Sequence, residues 1–272
     1  MRYFFALVVL CLAVNPAQVE AQQSGLVSLE TTDAGKGWAA VGRLDLGKHG
    51  FCTATLISTQ LVLTAAHCLF DKETGARLSL NQLRFLAGLR NGRAEAYRRV
   101  TAAVLPPDYV YSGTGQLDRI AFDLALLRLD QPVRLTSVVP FETSTRPRKH
   151  DNVRVVSYAQ DRSEVPSIQQ TCQVLEEAPS IAVLSCAVDF GSSGSPVFDI
   201  SGSAPQIVSV ISSKAVMGQS PVSLAVAVDG LLPALIEEMD LEHEGAPQVG
   251  NVSILSGGLG TGAKFISAPT SP

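Results

Sequence analysis

Between about residues 37 and 230 the sequence is a succession of short apolar runs broken by Gly, Pro, Asn and Asp, and this rhythm most restricts the fold. WAAVGRLDL, FCTATLIS, QLVLTAA, LRFLAGL, RRVTAAVLP and FDLALLRL carry the chain to about residue 130. A polar, proline-bearing bridge follows, DQPVRLTSVVPFETSTRPRKHD, and then a second series: NVRVVSYA, QTCQVLEEA, IAVLSCAV, SPVFDI, QIVSVISS and SLAVAV. Strands of this length and spacing argue for an all-β sandwich or barrel and against βαβ units. Two series joined by a bridge predict two β-domains of about a hundred residues each, 22–132 and 133–243. VDGLLPALIEEMDLEHE reads as a C-terminal helix belonging to the second, with Asp229 ahead of its apolar positions. The remainder, 244–272, is rich in Gly, Ser and Pro, can bury little, and reads as disordered. Its GGLGTG lacks the strand–loop–helix frame of a nucleotide loop, and Asn251 begins an N-x-S glycosylation acceptor.

The first 21 residues have the layout of a signal peptide. Arg2 is a short positive region, Phe4 to Val14 is apolar, and VEA supplies the cleavage pattern, so cleavage is expected after Ala21. An uncleaved anchor is the alternative, but the apolar run is about eleven residues where a span needs roughly twenty. Leu10 precedes Cys11, which does not fit a lipoprotein site. Of five cysteines, four remain after cleavage: Cys52, Cys68, Cys172 and Cys186. An even number in an exported chain implies two disulfides. Three pairings exist; the local ones, Cys52–Cys68 and Cys172–Cys186, close loops worth about 3 kcal/mol each in chain entropy. No CxxC pair is present to suggest a metal site. A net charge of −4 gives no basic face for nucleic acid. The expected location is therefore secreted or periplasmic, with no membrane association after cleavage.

Three segments carry chemistry. In VLTAAHCLF, His67 ends an apolar run beside Cys68, and a disulfide there would anchor an imidazole that must be well placed to move a proton. In AFDLALLRLD, strand alternation puts Asp123 on the same face as Ala125, Leu127 and Leu129. A buried carboxylate needs a hydrogen-bond donor, and an imidazole N–H is a fitting one. Asp118 and Asp130 are the rival acids, in a turn-like stretch and on the less apolar face. In DFGSSGSPVF, Gly191 and Gly194 permit a sharp turn that aims backbone N–H groups at one point. That turn designates Ser193 as a nucleophile, with the N–H groups of Gly191 and Ser193 as donors to an oxyanion. Ser192 and Ser195 are the alternatives.

The order His, Asp, Ser in TAAHC, FDLALLRL and GSSGSPVF resembles the trypsin/chymotrypsin-like serine peptidases, and within them the bacterial-type group that includes the glutamyl endopeptidases. The likeness runs from about Gly37 to Glu238. It implies two antiparallel six-stranded β-barrels with the site in the cleft between them, His67 and Asp123 from the first barrel and Ser193 from the second. The implied function is a secreted serine endopeptidase acting on protein or peptide substrates through a triad and an acyl-enzyme, with no cofactor and no metal. The rival readings are a non-catalytic exported binding or regulatory protein of the same fold, and an esterase of α/β-hydrolase type. The β-rich pattern and the residue order oppose the second.

The animal digestive branch places an aspartate before the nucleophile and pairs it with a freed N-terminus. Here that residue is Ser192, and no IVGG-like start follows the signal. Both halves being absent, Ser192 reads as a different means of ordering the loop. Six residues before the nucleophile stands Ala187, so a preference for Lys or Arg is not supported. QIVSVISSK lacks the pocket histidine of the glutamyl endopeptidases, while Lys214 could attract an acidic side chain. Either Ser209 or Ser212 is the residue that pairs with substrate backbone.

Overall fold

The computed structural model of the chain describes residues 25–111, 117–186 and 188–245. The expected signal peptide with Cys11, most of the expected tail with Asn251, and Ala187 lie outside these described residues. The first strand, β1 (Leu26–Ser28), runs antiparallel to β9 (Arg162–Glu177), with Leu26 opposite Gln169. The sequence division placed this segment with the first domain; its partner lies in the second.

Six strands then close into a barrel: β2 (Val41–Leu46), β3 (Phe51–Leu56), β4 (Leu61–Thr64), β5 (Leu83–Ala87), β6 (Ala96–Val104) and β7 (Ala125–Leu129), in the order β2-β3-β4-β7-β6-β5. The second series gives β8 (Asn152–Ala159), β9, β10 (Ile181–Leu184), β11 (Pro196–Asp199), β12 (Gln206–Met217) and β13 (Ser220–Ala227). These follow β9-β10-β13-β12-β11-β8, and the pairing of β8 with β9 closes the ring. All pairings in both rings are antiparallel. Closure removes free edges, which exposed sheets must otherwise protect.

Two features differ from the sequence reading for identifiable reasons. The strand β9 begins about eight residues before QTCQVLEEA and runs through Pro166, a residue that sheets admit only at edges, strand starts and bulges. Its first half instead serves β1, and the Pro166 carbonyl accepts from Leu29 N at 2.9 Å. The alternation expected for FDLALLRL is not seen, since Ala125, Leu126 and Leu127 are all fully buried. One face lines the barrel and the other is covered, in part by the C-terminal helix, Leu232–Gly245.

That helix follows β13 in the chain but packs on β6 and β7 of the first barrel through Leu232, Leu235 and Met239, spaced at three and four residues. Arg128 of β7 donates to the Met239 carbonyl and to Asp240, both at 3.1 Å. Asp229 does not cap it: the helix starts three residues later, and the Asp229 carboxylate takes Arg146 at 3.4 Å. Glu244 and Gly245 complete the helix where the tail was expected to begin.

The bridge between the barrels is irregular yet tied to both. Phe141 N donates to Leu56 O at 3.0 Å, and Ser144 N to Ile207 O at 2.8 Å. Phe141 and Phe198 of β11 have ring centroids 4.6 Å apart, and Trp38 lies 5.1 Å from Phe198. This aromatic cluster joins the entry to β2, the bridge and β11 in one apolar core. Phe198→Ala, at a site with no exposure, is expected to cost about 3–5 kcal/mol, measurable as a lower denaturant midpoint with an unchanged slope.

Candidate active site

Asp123 is fully buried, just ahead of β7. One of its oxygens accepts the main-chain N–H of His67 at 2.8 Å, and the other meets the imidazole Nδ1 at 2.7 Å. Ser212 of β12 also donates its hydroxyl to the second oxygen. Burial pushes the Asp123 pKa up, but the adjacent His67 charge and these hydrogen bonds outweigh it, holding the acid below the ordinary carboxylate range. An ionised carboxylate only accepts, so Nδ1 carries a proton, and in the neutral imidazole Nε2 then presents its lone pair. Of Ser209 and Ser212, the two candidates for pairing with substrate backbone, it is Ser212 that touches Asp123. Asp130, the rival acid, instead pairs with Arg99 at 3.2 Å.

His67 lies in the short 3₁₀ turn Ala66–Leu69 that follows β4. Its neighbour Cys68 is bonded to Cys52 of β3, and Cys172 to Cys186, so both local pairings are present. The imidazole Nε2 stands 3.9 Å from Cys68 Sγ. Cys52, His67 and Cys68 cluster like metal ligands, but the two sulfurs are bonded to each other.

Ser193 lines the same cleft as His67, a space of about 380 Å³. Among the described residues no hydrogen bond joins its hydroxyl to the imidazole, so the structure brings together two of the three predicted residues by direct bonding and the third by position. Such links are often open before substrate arrives. Gly191 and Gly194 have φ of 94° and 80°, the left-handed region. A Cβ on Gly191 would fall 2.4 Å from the Phe51 ring, and one on Gly194 2.2 Å from the Thr53 carbonyl. Both positions therefore demand glycine.

The loop's peptide planes are fixed by their carbonyls. Phe190 O accepts from Gln160 N at 2.8 Å, and Ser192 O from Ser195 N at 3.1 Å. In a trans peptide the N–H points opposite to the C=O, so Gly191 N–H and Ser193 N–H are turned away from these bonds, with Gly191 and Ser193 both on the cleft wall.

Sequence reasoning missed three groups. Thr53 is a buried hydroxyl in the apolar run FCTATL; it bonds the loop from the opposite barrel, with N to Ser193 O at 2.8 Å and Oγ1 to Gly191 O at 2.9 Å. Its one available signal was a polar residue at an inward position. Arg162 folds back beneath the loop. A second imidazole, His49, pairs with Asp71 at the rim of the cleft. Across the cleft, Lys214 bonds Asp189 at 3.1 Å, and its ammonium lies 4.3 Å from the centre of the Phe190 ring.

Comparison with known proteins agrees with this fold. A profile of the trypsin-like peptidase domain matches residues 52–204. A modular serine protease of Drosophila melanogaster is 35% identical over 97 residues, which are 34% of this chain and 15% of that protein. The chain thus spans only a small part of that relative. A solved Glu endopeptidase, in complex with MPD, superposes with a TM-score of 0.65 at 17% identity over 82% of this chain and 98% of that one. A scabies mite inactivated protease paralogue superposes with a TM-score of 0.60 at 12% identity, over 75% and 93% of the two chains. At these identities the likenesses establish the fold.

Asp71 supplies a measurable test of the local electrostatics. Backbone N–H and hydroxyl donation from Thr74 leads the interactions that hold its pKa down at about 2, with His49 adding to them. A carboxylate depressed below its unfolded value of about 3.9 stabilises the fold above that value and loses the contribution as pH falls through the folded one. An NMR titration of the Asp71 side chain is expected to show its midpoint near 2, whereas a midpoint near 4 would contradict the turn.

Proposed function

Because the chain belongs to the family of trypsin-like peptidases, we propose that it is an exported serine endopeptidase working through Ser193, His67 and Asp123. The observation that carries this reading is the buried Asp123 carboxylate, which holds both the main chain and Nδ1 of His67 in the cleft lined by Ser193. His67 Nε2 takes the Ser193 proton as Oγ attacks the scissile carbonyl carbon. The carbonyl oxygen gains the charge and is met by the N–H groups of Gly191 and Ser193. As the C–N bond breaks, His67 gives its proton to the leaving amine. Water then repeats the cycle on the acyl-enzyme, which releases the acid and restores Ser193.

Export is supported by the two disulfides, and no helix among the described residues is long and apolar enough to cross a membrane. The two barrels, β2–β7 and β8–β13, read as the two functional halves, each giving one wall of the cleft. A non-catalytic role is the second reading, since the superposed paralogue from the scabies mite is described as inactivated. Against it, all three residue types needed for acyl transfer are present, and the glycines that shape the loop are kept.

A fluorophosphonate probe decides between them. Labelling of the wild type but not of Ser193→Ala is expected; no labelling of either would favour the binding protein. Asp123→Asn should retain substrate binding while lowering kcat by roughly 10⁴-fold, since the imidazole loses its tautomer. The disulfide gives an independent check. Replacing Cys52 and Cys68 by Ala is expected to lower turnover well below the melting transition, and full turnover there would show that the bond serves stability alone.

A further inference from the structure

Ser192 stands where a carboxylate would pair with a cation, so something else must order the loop. Its hydroxyl donates to the carbonyl of Tyr158 at 3.2 Å. From below, Arg162 reaches the same hydroxyl at 3.5 Å, while its other contacts are the Ser157 hydroxyl at 3.1 Å and the Ser157 carbonyl. The Arg162 side chain is 13% exposed, and the carboxylate facing it, Asp161, lies 3.8 Å away and is mostly solvated. Burial pushes its pKa down against the pull of Asp161 and Asp189, yet a guanidinium stays charged in any protein setting.

From the other side, Thr53 of the first barrel reaches across the interface. Its Oγ1 donates to Gly191 O at 2.9 Å and accepts from Tyr158 N at 3.0 Å, and its N–H donates to Ser193 O. The carbonyls of Gly191 and Ser193, the two residues whose N–H groups are meant for the oxyanion, are therefore bound by one threonine. A threonine at this inward position has no apolar packing advantage over valine; its hydroxyl is what the site uses.

We propose that Thr53 and Arg162 are positioning residues that clamp the loop Asp189–Ser193 in its oxyanion-binding shape. The clamp rests on the endopeptidase reading and deepens it. It comes from the interior of the two barrels, so the cation behind the loop is supplied by folding and does not wait for a freed N-terminus. Neither residue touches substrate; Thr53 acts through the Gly191 and Ser193 carbonyls and Arg162 through the Ser192 hydroxyl.

The test compares Thr53→Val, which keeps the side-chain shape without the hydroxyl, with Thr53→Ser, which keeps the hydroxyl, and Arg162→Met. Peptide ester hydrolysis and affinity for a peptide boronate are measured alongside KM and the melting temperature. A displaced loop costs transition-state binding before substrate binding, on the order of 10- to 100-fold for shifts of about an ångström. Thr53→Val and Arg162→Met are expected to lose kcat and boronate affinity together by about that factor, with KM nearly unchanged and Thr53→Ser close to wild type. Because both residues hold one loop, the double variant should lose less than the product of the two single losses. Wild-type kcat and boronate affinity in Thr53→Val, with only a lower melting temperature, would overturn the clamp while leaving the endopeptidase intact. If Thr53→Val does not fold, the contrast between Thr53→Ser and Thr53→Ala reads the same hydroxyl. A wild type that no fluorophosphonate labels overturns both readings.

Discussion

A single buried carboxylate sets the terms for the rest of the molecule. Asp123 has no contact with water, and an isolated ionised acid in that position would be strongly unfavourable. Three donors make it tolerable: the N–H and Nδ1–H of His67 from the first barrel and the Ser212 hydroxyl from the second. Neither barrel alone satisfies the acid. Its full set of partners therefore forms only when the two barrels are docked, and the tautomer of His67 follows from its ionisation. Docking of the barrels also brings Ser193 and His67 into one cleft.

The interface that must hold this arrangement is built from two kinds of contact with different roles. Trp38, Phe141 and Phe198 contribute apolar burial, which is large but tolerant of small slips in register. Thr53 contributes directional bonds to Gly191 and Ser193, which fail over a few tenths of an ångström. The first kind keeps the barrels together and the second decides where the loop sits. The C-terminal helix adds to the first kind: it begins in the second half of the chain and is anchored on β7 by Arg128.

The chain's periodicity was enough to read two β-domains, because each strand is a short run with its own breakers, while their closure into barrels was implied by the family resemblance. The candidate site residues were legible for a different reason: His67 and Ser193 stand in local settings, a neighbouring cysteine and flanking glycines, that survive without knowledge of the fold. Asp123 was found through a partly mistaken argument. It precedes β7 instead of lying within it, and β7 is buried on both faces, so alternation could not have singled it out. What failed to show in the sequence was long-range. The pairing of β1 with β9, the reach of Arg162 beneath Ser192, and the span from Thr53 to Gly191 join residues from about 30 to about 140 positions apart. Nothing in a local pattern encodes such distances.

The loop around Ser193 also shows why no single bond can replace a buried ion pair. Fixing each backbone residue costs about 1–2 kcal/mol, and a neutral hydrogen bond returns about 1 kcal/mol net. Ordering Asp189–Ser193 thus requires several bonds acting on the same few peptides. Gln160, Ser195, Thr53 and Tyr158 supply them through Phe190 O, Ser192 O, Gly191 O and the Ser192 hydroxyl. An aspartate paired with a terminal ammonium concentrates that task in one contact, which can be withheld until a cleavage makes it. Distributed over strands of both barrels, the same task is completed as the barrels dock, and the loop's shape becomes a property of the folded chain.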